Sequence, residues 1–170
     1  MKQNLNKYNK KRNFTNTKEP VGKISTKNKS KRFCVQHHIA RKDHYDFRLE
    51  YDGVMLSFAV PKGPSYNPKD KRLAVQTENH PLSYRTFEGI IPKGEYGAGT
   101  VMLWDIGTFK EIEPFNKTYK KGYLKFKLNG KRLKGLWTLI KFKDDNWLLI
   151  KEKDDLKLFY DINEINTSIK

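Results

Sequence analysis

The chain has 170 residues, 36% hydrophobic and 32% charged, with a formal net charge of +16. That length is one domain with a real core. No run of ~18 apolar residues exists to span a membrane, and the N-terminus has no apolar signal-peptide core, so the expected address is the cytoplasm. The single cysteine, Cys34, excludes an internal disulfide, and the charge implies a polyanionic partner, nucleic acid before an anionic membrane surface.

Residues 1–32 hold eleven Lys or Arg and one acid, Glu19, so they carry +10 of the +16. So little apolar surface cannot fold alone. Residues 1–31 therefore read as a basic, partly disordered arm. It is expected to dock from about residue 8, where Tyr8 and Phe14 supply anchors. The body, 32–153, reads as short strands. Arg32–His37 is the first, and His44–Tyr51 the second, closed by the hairpin pair Asp52-Gly53. Val54–Val60 runs back and ends at Pro61-Lys62-Gly63-Pro64, whose prolines cannot donate to a ladder. Arg72–Glu78 is the fourth strand, followed by a glycine-rich loop over 88–100. Thr100–Asp105 and Thr108–Ile112 are expected to form a hairpin. Tyr123–Leu128, Gly135–Phe142 and Trp147–Glu152, turning at Asn129-Gly130 and Asp145-Asn146, read as a meander. Residues 154–170 are a tail with a short strand or helical turn. The fold class is all-β, a compact closed or nearly closed β-barrel. Cys34, between Phe33 and Val35, reads as a buried thiol.

Three of the four histidines fall within 36–50, with Asp46 and Arg48 close behind. From His44 the pattern alternates. His44, Asp46, Arg48 and Glu50 share one parity, and Tyr45, Phe47, Leu49 and Tyr51 the other, which is a strand with one apolar face. Residues i and i+2 share a face, so His44 and Asp46 can hold one ion, and His38 can reach it across the turn. His37 has the wrong parity. Two imidazoles and a carboxylate suit Mn, Fe or Zn better than Mg; the alternative is a solvated strand face. Arg48 beside them suits an anion. Glu78 and His80 repeat the i, i+2 spacing, and a carboxylate beside the imidazole is expected to raise its pKa and let it act as a cation or acid. Lys62, Arg72 and Tyr84 lie near strand ends and can close on a phosphate. The loop Gly94-Glu95-Tyr96-Gly97-Ala98-Gly99 lacks a P-loop pattern and reads as structural. Two rival classes stay open. One is a non-catalytic, basic nucleic-acid-binding barrel. The other is an iron oxygenase using His44-x-Asp46 with His80 as distal ligand.

Gln36–Glu50, Ala59–Pro64, Asp70–Val75, Glu78–Leu82 and Phe87-Glu88-Gly89…Ile91–Gly97 together resemble the 3′-phosphoesterase domain of bacterial and archaeal DNA ligase D. The likeness extends through Lys125-Phe126, Leu133–Gly135 and Trp147–Glu152, covering roughly residues 8–153. It implies a barrel that trims DNA 3′ ends during end joining, on a primer-template or a nicked or broken duplex. Two activities are implied, removal of a 3′-phosphate and of a 3′-terminal ribonucleoside. It also implies manganese, or another divalent transition metal, on His38, His44 and Asp46. Arg48 and His80 would hold the phosphate, supported by Lys62, Arg72 and Tyr84. Gln36 and Glu78 would complete the inner shell, and Arg12, Asn13 and Glu19 would contribute from the arm. The family's Arg-Asp-Phe is here Arg12-Asn13-Phe14, so a carboxylate is missing. As the sequence stands, the domain would act as a monomer and find a separate ligase and polymerase in trans.

Overall fold

The computed structural model describes residues 2–24 and 31–154. Among these residues nine strands form one antiparallel sheet: β1 (Arg32–Ile39), β2 (Asp43–Tyr51), β3 (Val54–Val60), β4 (Arg72–Pro81), β5 (Gly89–Ile91), β6 (Gly99–Glu111), β7 (Tyr123–Gly130), β8 (Lys134–Lys143) and β9 (Asn146–Lys151). The order β1-β2-β3-β4-β9-β8-β7-β6 closes by pairing β6 with β1, and β5 lies against the other edge of β6. All but β5 thus make a closed barrel, as expected. Among the described residues, helix is confined to short pieces, α1 (Asn6–Lys10), α2 (Phe115–Thr118) and two 3-10 turns, Leu82–Thr86 and Tyr119–Lys121.

Alternation builds the core. Phe33 and Val35 of β1, Phe47 and Leu49 of β2, and Leu56 and Phe58 of β3 join Phe126, Trp137 and Trp147 in one cluster. Asp52 and Gly53 both have positive φ, 50° and 80°. That is the two-residue turn whose twist matches the flanking strands. Cys34 is fully buried, and burial pushes its thiol up to about 12.

Three expected turns differ. The hairpin across 106–107 is instead the middle of a single 13-residue strand, β6. Gly107 serves close packing there: a Cβ on it would run into the backbone of Asn129 and Gly130. Asn129-Gly130 also stays in its strand. The turn follows it, held by the buried Asp105 carboxylate, which accepts N–H bonds from Lys131, Arg132 and Leu133 at 2.8–3.0 Å. The β8–β9 turn falls at Asp144-Asp145, with Asp144 at φ 49°, and Asn146 begins β9. The expected element beyond Asp154 lies outside the described residues.

The arm docks earlier than expected, its contacts beginning at Gln3, which donates to Asp52 Oδ2 and accepts from Asn79. Leu5 and Tyr8 are buried against Val54 and Tyr84, with Phe14 and Phe87 packed beside them. The 3-10 turn Leu82–Thr86 lies over the face of β1–β4 opposite the core, with Tyr84 against Arg48, and Tyr8 of the arm packs on Tyr84 in turn. That cover, together with Arg32 against Glu50, helps to bury Arg48 and Glu50 although they alternate with core residues.

Candidate metal centre and anion site

His38 and His44 are directly paired across β1 and β2, and Asp46 is two residues beyond His44. His38 Nδ1 lies 3.5 Å from Asp46 Oδ2, and His44 Nε2 lies 3.3 Å from Asp46 Oδ1. One ligand atom from each falls within 4.8 Å of the others. Each ring spends its other nitrogen on a backbone carbonyl: His38 Nε2–H donates to Gly97 O at 2.7 Å, and His44 Nδ1–H to Lys42 O at 3.0 Å. Two imidazole lone pairs and a carboxylate therefore converge on one point. Unprotonated, they repel unless a cation lies between them, and carbonyl-anchored imidazoles are how metal-binding histidines are oriented. The donor set fits a borderline divalent ion such as manganese, iron or zinc. Burial pushes the Asp46 carboxyl up, but Arg48 and the two histidines hold it well below the usual carboxylate range. Burial disfavours charge on His44, and the contact with Asp46 outweighs it, raising its pKa.

His37 faces away, stacked on Tyr45 at 4.5 Å and 3.8 Å from Asp43. Parity separates the two neighbours as expected.

Arg48 is 3% exposed. Its Nε donates to Gln36 Oε1 at 2.7 Å, its Nη2 is 3.5 Å from Asp46, and its plane lies over the Tyr84 ring. Its Nη1 is buried with no hydrogen-bond partner. A buried guanidinium N–H is costly to leave unmade, so this atom is suited to bind an anion. Gln36 spends its amide N–H groups on Tyr84 O and Phe87 O. It aims Arg48 and is not free to touch an anion itself.

Arg12 reaches the same cavity from the arm. Its Nε donates to Glu19 Oε2 at 2.9 Å, Nη1 to Tyr8 O at 3.0 Å, and Nη2 to His80 Nε2 at 3.4 Å. Glu19, 4% exposed, also accepts the Tyr84 hydroxyl at 2.7 Å. Burial, with Glu19 adding, pushes that hydroxyl's pKa up, so Tyr84 stays a proton donor.

The expected Glu78–His80 pair does not form. The register slips between Met55 and Ser57, leaving one extra residue in β4 at Glu78-Asn79. Such a bulge re-aims side chains. The Glu78 carboxylate goes to Lys11 at 2.9 Å and Arg12 at 3.7 Å, and only its carbonyl accepts His80 Nδ1–H. Burial, then Arg48 and Arg12, drive the His80 pKa well below normal. His80 is a neutral imidazole with its Nε2 lone pair toward Arg12, not the expected cation. It also stands outside the ligand trio, contrary to the assignment the oxygenase reading required.

Lys62 and Arg72 share a separate surface hollow with Lys69, Asp70 and Lys71. There Arg72 donates to the Lys62 carbonyl. Asn13 is exposed and turned from the cavity; its Oδ1 accepts from Thr15 N and Oγ1, capping its own turn. Arg12 is oriented by Glu19 and not by residue 13, which does not line the cavity.

The cavity, about 220 Å³, is lined by Arg12, His38, His44, Asp46, Arg48, Glu78, His80 and Tyr84, and also by Thr77, Ile91, Tyr96 and Gly97. The last four were not anticipated. An aromatic residue set among glycines was the available signal for Tyr96.

Residues 36–141 match the family model described as the DNA Ligase D 3′-phosphoesterase domain. The chain is 48% identical over 156 residues to the multifunctional non-homologous end joining protein LigD of Pseudomonas aeruginosa, covering 88% of this chain and 19% of that protein. It is 43% identical over 158 residues to the multifunctional non-homologous end joining DNA repair protein LigD of Mycobacterium tuberculosis, covering 91% of this chain and 21% of that one. A protein of the same kind in Mycolicibacterium smegmatis is 43% identical, over 88% of this chain and 21% of its own. The chain thus spans about a fifth of the length of the curated relatives it matches.

Proposed function

The chain belongs to the DNA ligase D 3′-phosphoesterase domain family, and we propose that it is a manganese-dependent phosphoesterase that heals DNA 3′ ends for end joining, removing a 3′-phosphate and leaving a 3′-hydroxyl. Removal of a 3′-terminal ribonucleoside is the second activity proposed for the same site. The observation that carries this reading is the unpartnered, buried Arg48 Nη1 beside three convergent ligand atoms. A nucleic-acid-binding barrel without chemistry could use the arginine but has no use for the three convergent ligand atoms.

His38, His44 and Asp46 would hold the metal, which when bound supplies Lewis-acid polarisation of a phosphoryl oxygen. Arg48 donates its free N–H to a second oxygen, where charge develops in the transition state. Gln36 and the Tyr84 ring keep Arg48 in place before substrate arrives. Arg12, tied to Glu19, adds a second guanidinium from above. His80 enters the reaction neutral. Burial is the largest cause of its low pKa and the Arg48 and Arg12 charges add to it; an incoming phosphate offsets those two charges and so shifts His80 toward proton uptake. It can then donate to the leaving 3′-oxygen while a water oxygen forms the new bond to phosphorus and inorganic phosphate is released.

Matched DNA primers, one ending in 3′-phosphate and one in a single ribonucleotide, test the proposal. Metal-dependent conversion of the first to a 3′-hydroxyl is expected. No conversion of either with manganese, iron or zinc would overturn it.

A further inference from the structure

The geometry points to Tyr96 as the platform on which the base of the 3′-terminal nucleotide stacks, an inference that rests on the phosphoesterase reading above. The cavity holds about 220 Å³, below the roughly 300–1,000 Å³ of pockets that enclose a whole small ligand. A phosphoryl group and part of the sugar fit inside. The base must therefore remain at the mouth.

Of the residues lining this cavity, Tyr96 alone is exposed, at 46%. Its ring belongs to neither hydrophobic cluster. An aromatic ring held at a cavity mouth without a packing role suggests a ligand surface. The loop bearing it is fixed relative to the chemistry. Glu95 N bonds Pro92 O and Ala98 N bonds Glu95 O, both at 3.1 Å, while Gly97 O takes the His38 Nε2–H. Gly94 and Gly97 permit this path with φ of 93° and 76°.

Cations surround the ring. Lys11 Nζ is 4.6 Å from its centroid and the Arg12 guanidinium carbon 5.4 Å. Lys11 Nζ donates to the Tyr96 hydroxyl at 3.3 Å and to Glu78 at 2.9 Å, so it sits toward the hydroxyl end of the ring and a base can lie over the rest of the face. A π face flanked by cations is how single-stranded nucleic acid is held without reading sequence, so all four terminal bases are expected to be accepted.

The test uses 3′-phosphate DNA whose last nucleotide either carries a base or is abasic. Tyr96→Ala should raise KM about tenfold on the ordinary end, with kcat little changed, and leave KM on the abasic end as in the unmodified protein. Tyr96→Trp should keep the ordinary KM. Trp104, Trp137 and Trp147 are buried and shielded from a bound end, so quenching in excess of that in the unmodified protein reports the new indole, and that excess should appear with ordinary but not abasic ends without added metal. An unchanged KM in Tyr96→Ala, or an equal rise on the abasic end, would overturn the inference. The quenching is read without turnover. Equal quenching by both ends would overturn the stacking role even if the phosphoesterase reading itself had failed.

Discussion

Arg12 Nη2 lies 3.4 Å from His80 Nε2, joining the N-terminal arm to β4 across 68 positions of sequence. The arm is thereby part of the site's wall. Arg12→Ala is expected to lower kcat/KM by about 10²–10³, the cost of losing one donor to developing charge, with manganese affinity unchanged. Arg12→Lys should not restore activity, because an ammonium cannot span Glu19, the Tyr8 carbonyl and His80 together. Steady-state kinetics beside a metal titration check this. Full activity after removal of residues 1–24 would contradict it.

Alanine at His38, His44 or Asp46 should each abolish manganese binding, because three protein ligands leave none spare. His37→Ala should bind manganese as the unmodified protein does, its ring being stacked on Tyr45. Calorimetric titration distinguishes the four variants. Equal loss in His37→Ala and His38→Ala would refute the ligand assignment.

Much of this was legible in the sequence: β2 alternates strictly, which separates Phe47 and Leu49 from Asp46 and Arg48, and the same parity rule applied to β1 picks His38 over His37. What stayed hidden depends on events of no fixed period. The extra residue in β4 sends Glu78 to Lys11 and Arg12 and not to His80. The glycine at 107 looks like a turn residue, yet it admits a neighbouring backbone. Glu19 meets Tyr84 across 65 positions, a contact visible only once Tyr8 is seated between Val54 and Tyr84.

Asn13→Asp should change neither phosphate removal nor ribonucleoside removal by more than about twofold, since aspartate can cap the same turn through Thr15. Assays on the two matched primers check it. A rise of tenfold or more in ribonucleoside removal alone would mean that residue 13 reaches the sugar after all.

Cys34 should be inert to a thiol reagent at pH 8 in the folded protein and react at the rate of unfolding. Its folded pKa is raised, to about 12 from 9.0. The sign follows: the unfolded thiol ionises first, so the contribution to stability is whole below about pH 9 and is lost as pH rises toward about 12. Cys34→Ala should therefore lose less stability over that range. Rapid labelling at pH 8 without denaturant would contradict the burial.

The most direct test of the central claim is phosphate release from a 3′-phosphate DNA primer by the unmodified protein and by Arg48→Gln, each with and without manganese. Release that needs the metal, and falls by about 10²–10³ in Arg48→Gln while manganese still binds, is the expected result. Release that is indifferent to manganese, or as fast in Arg48→Gln as in the unmodified protein, would contradict it.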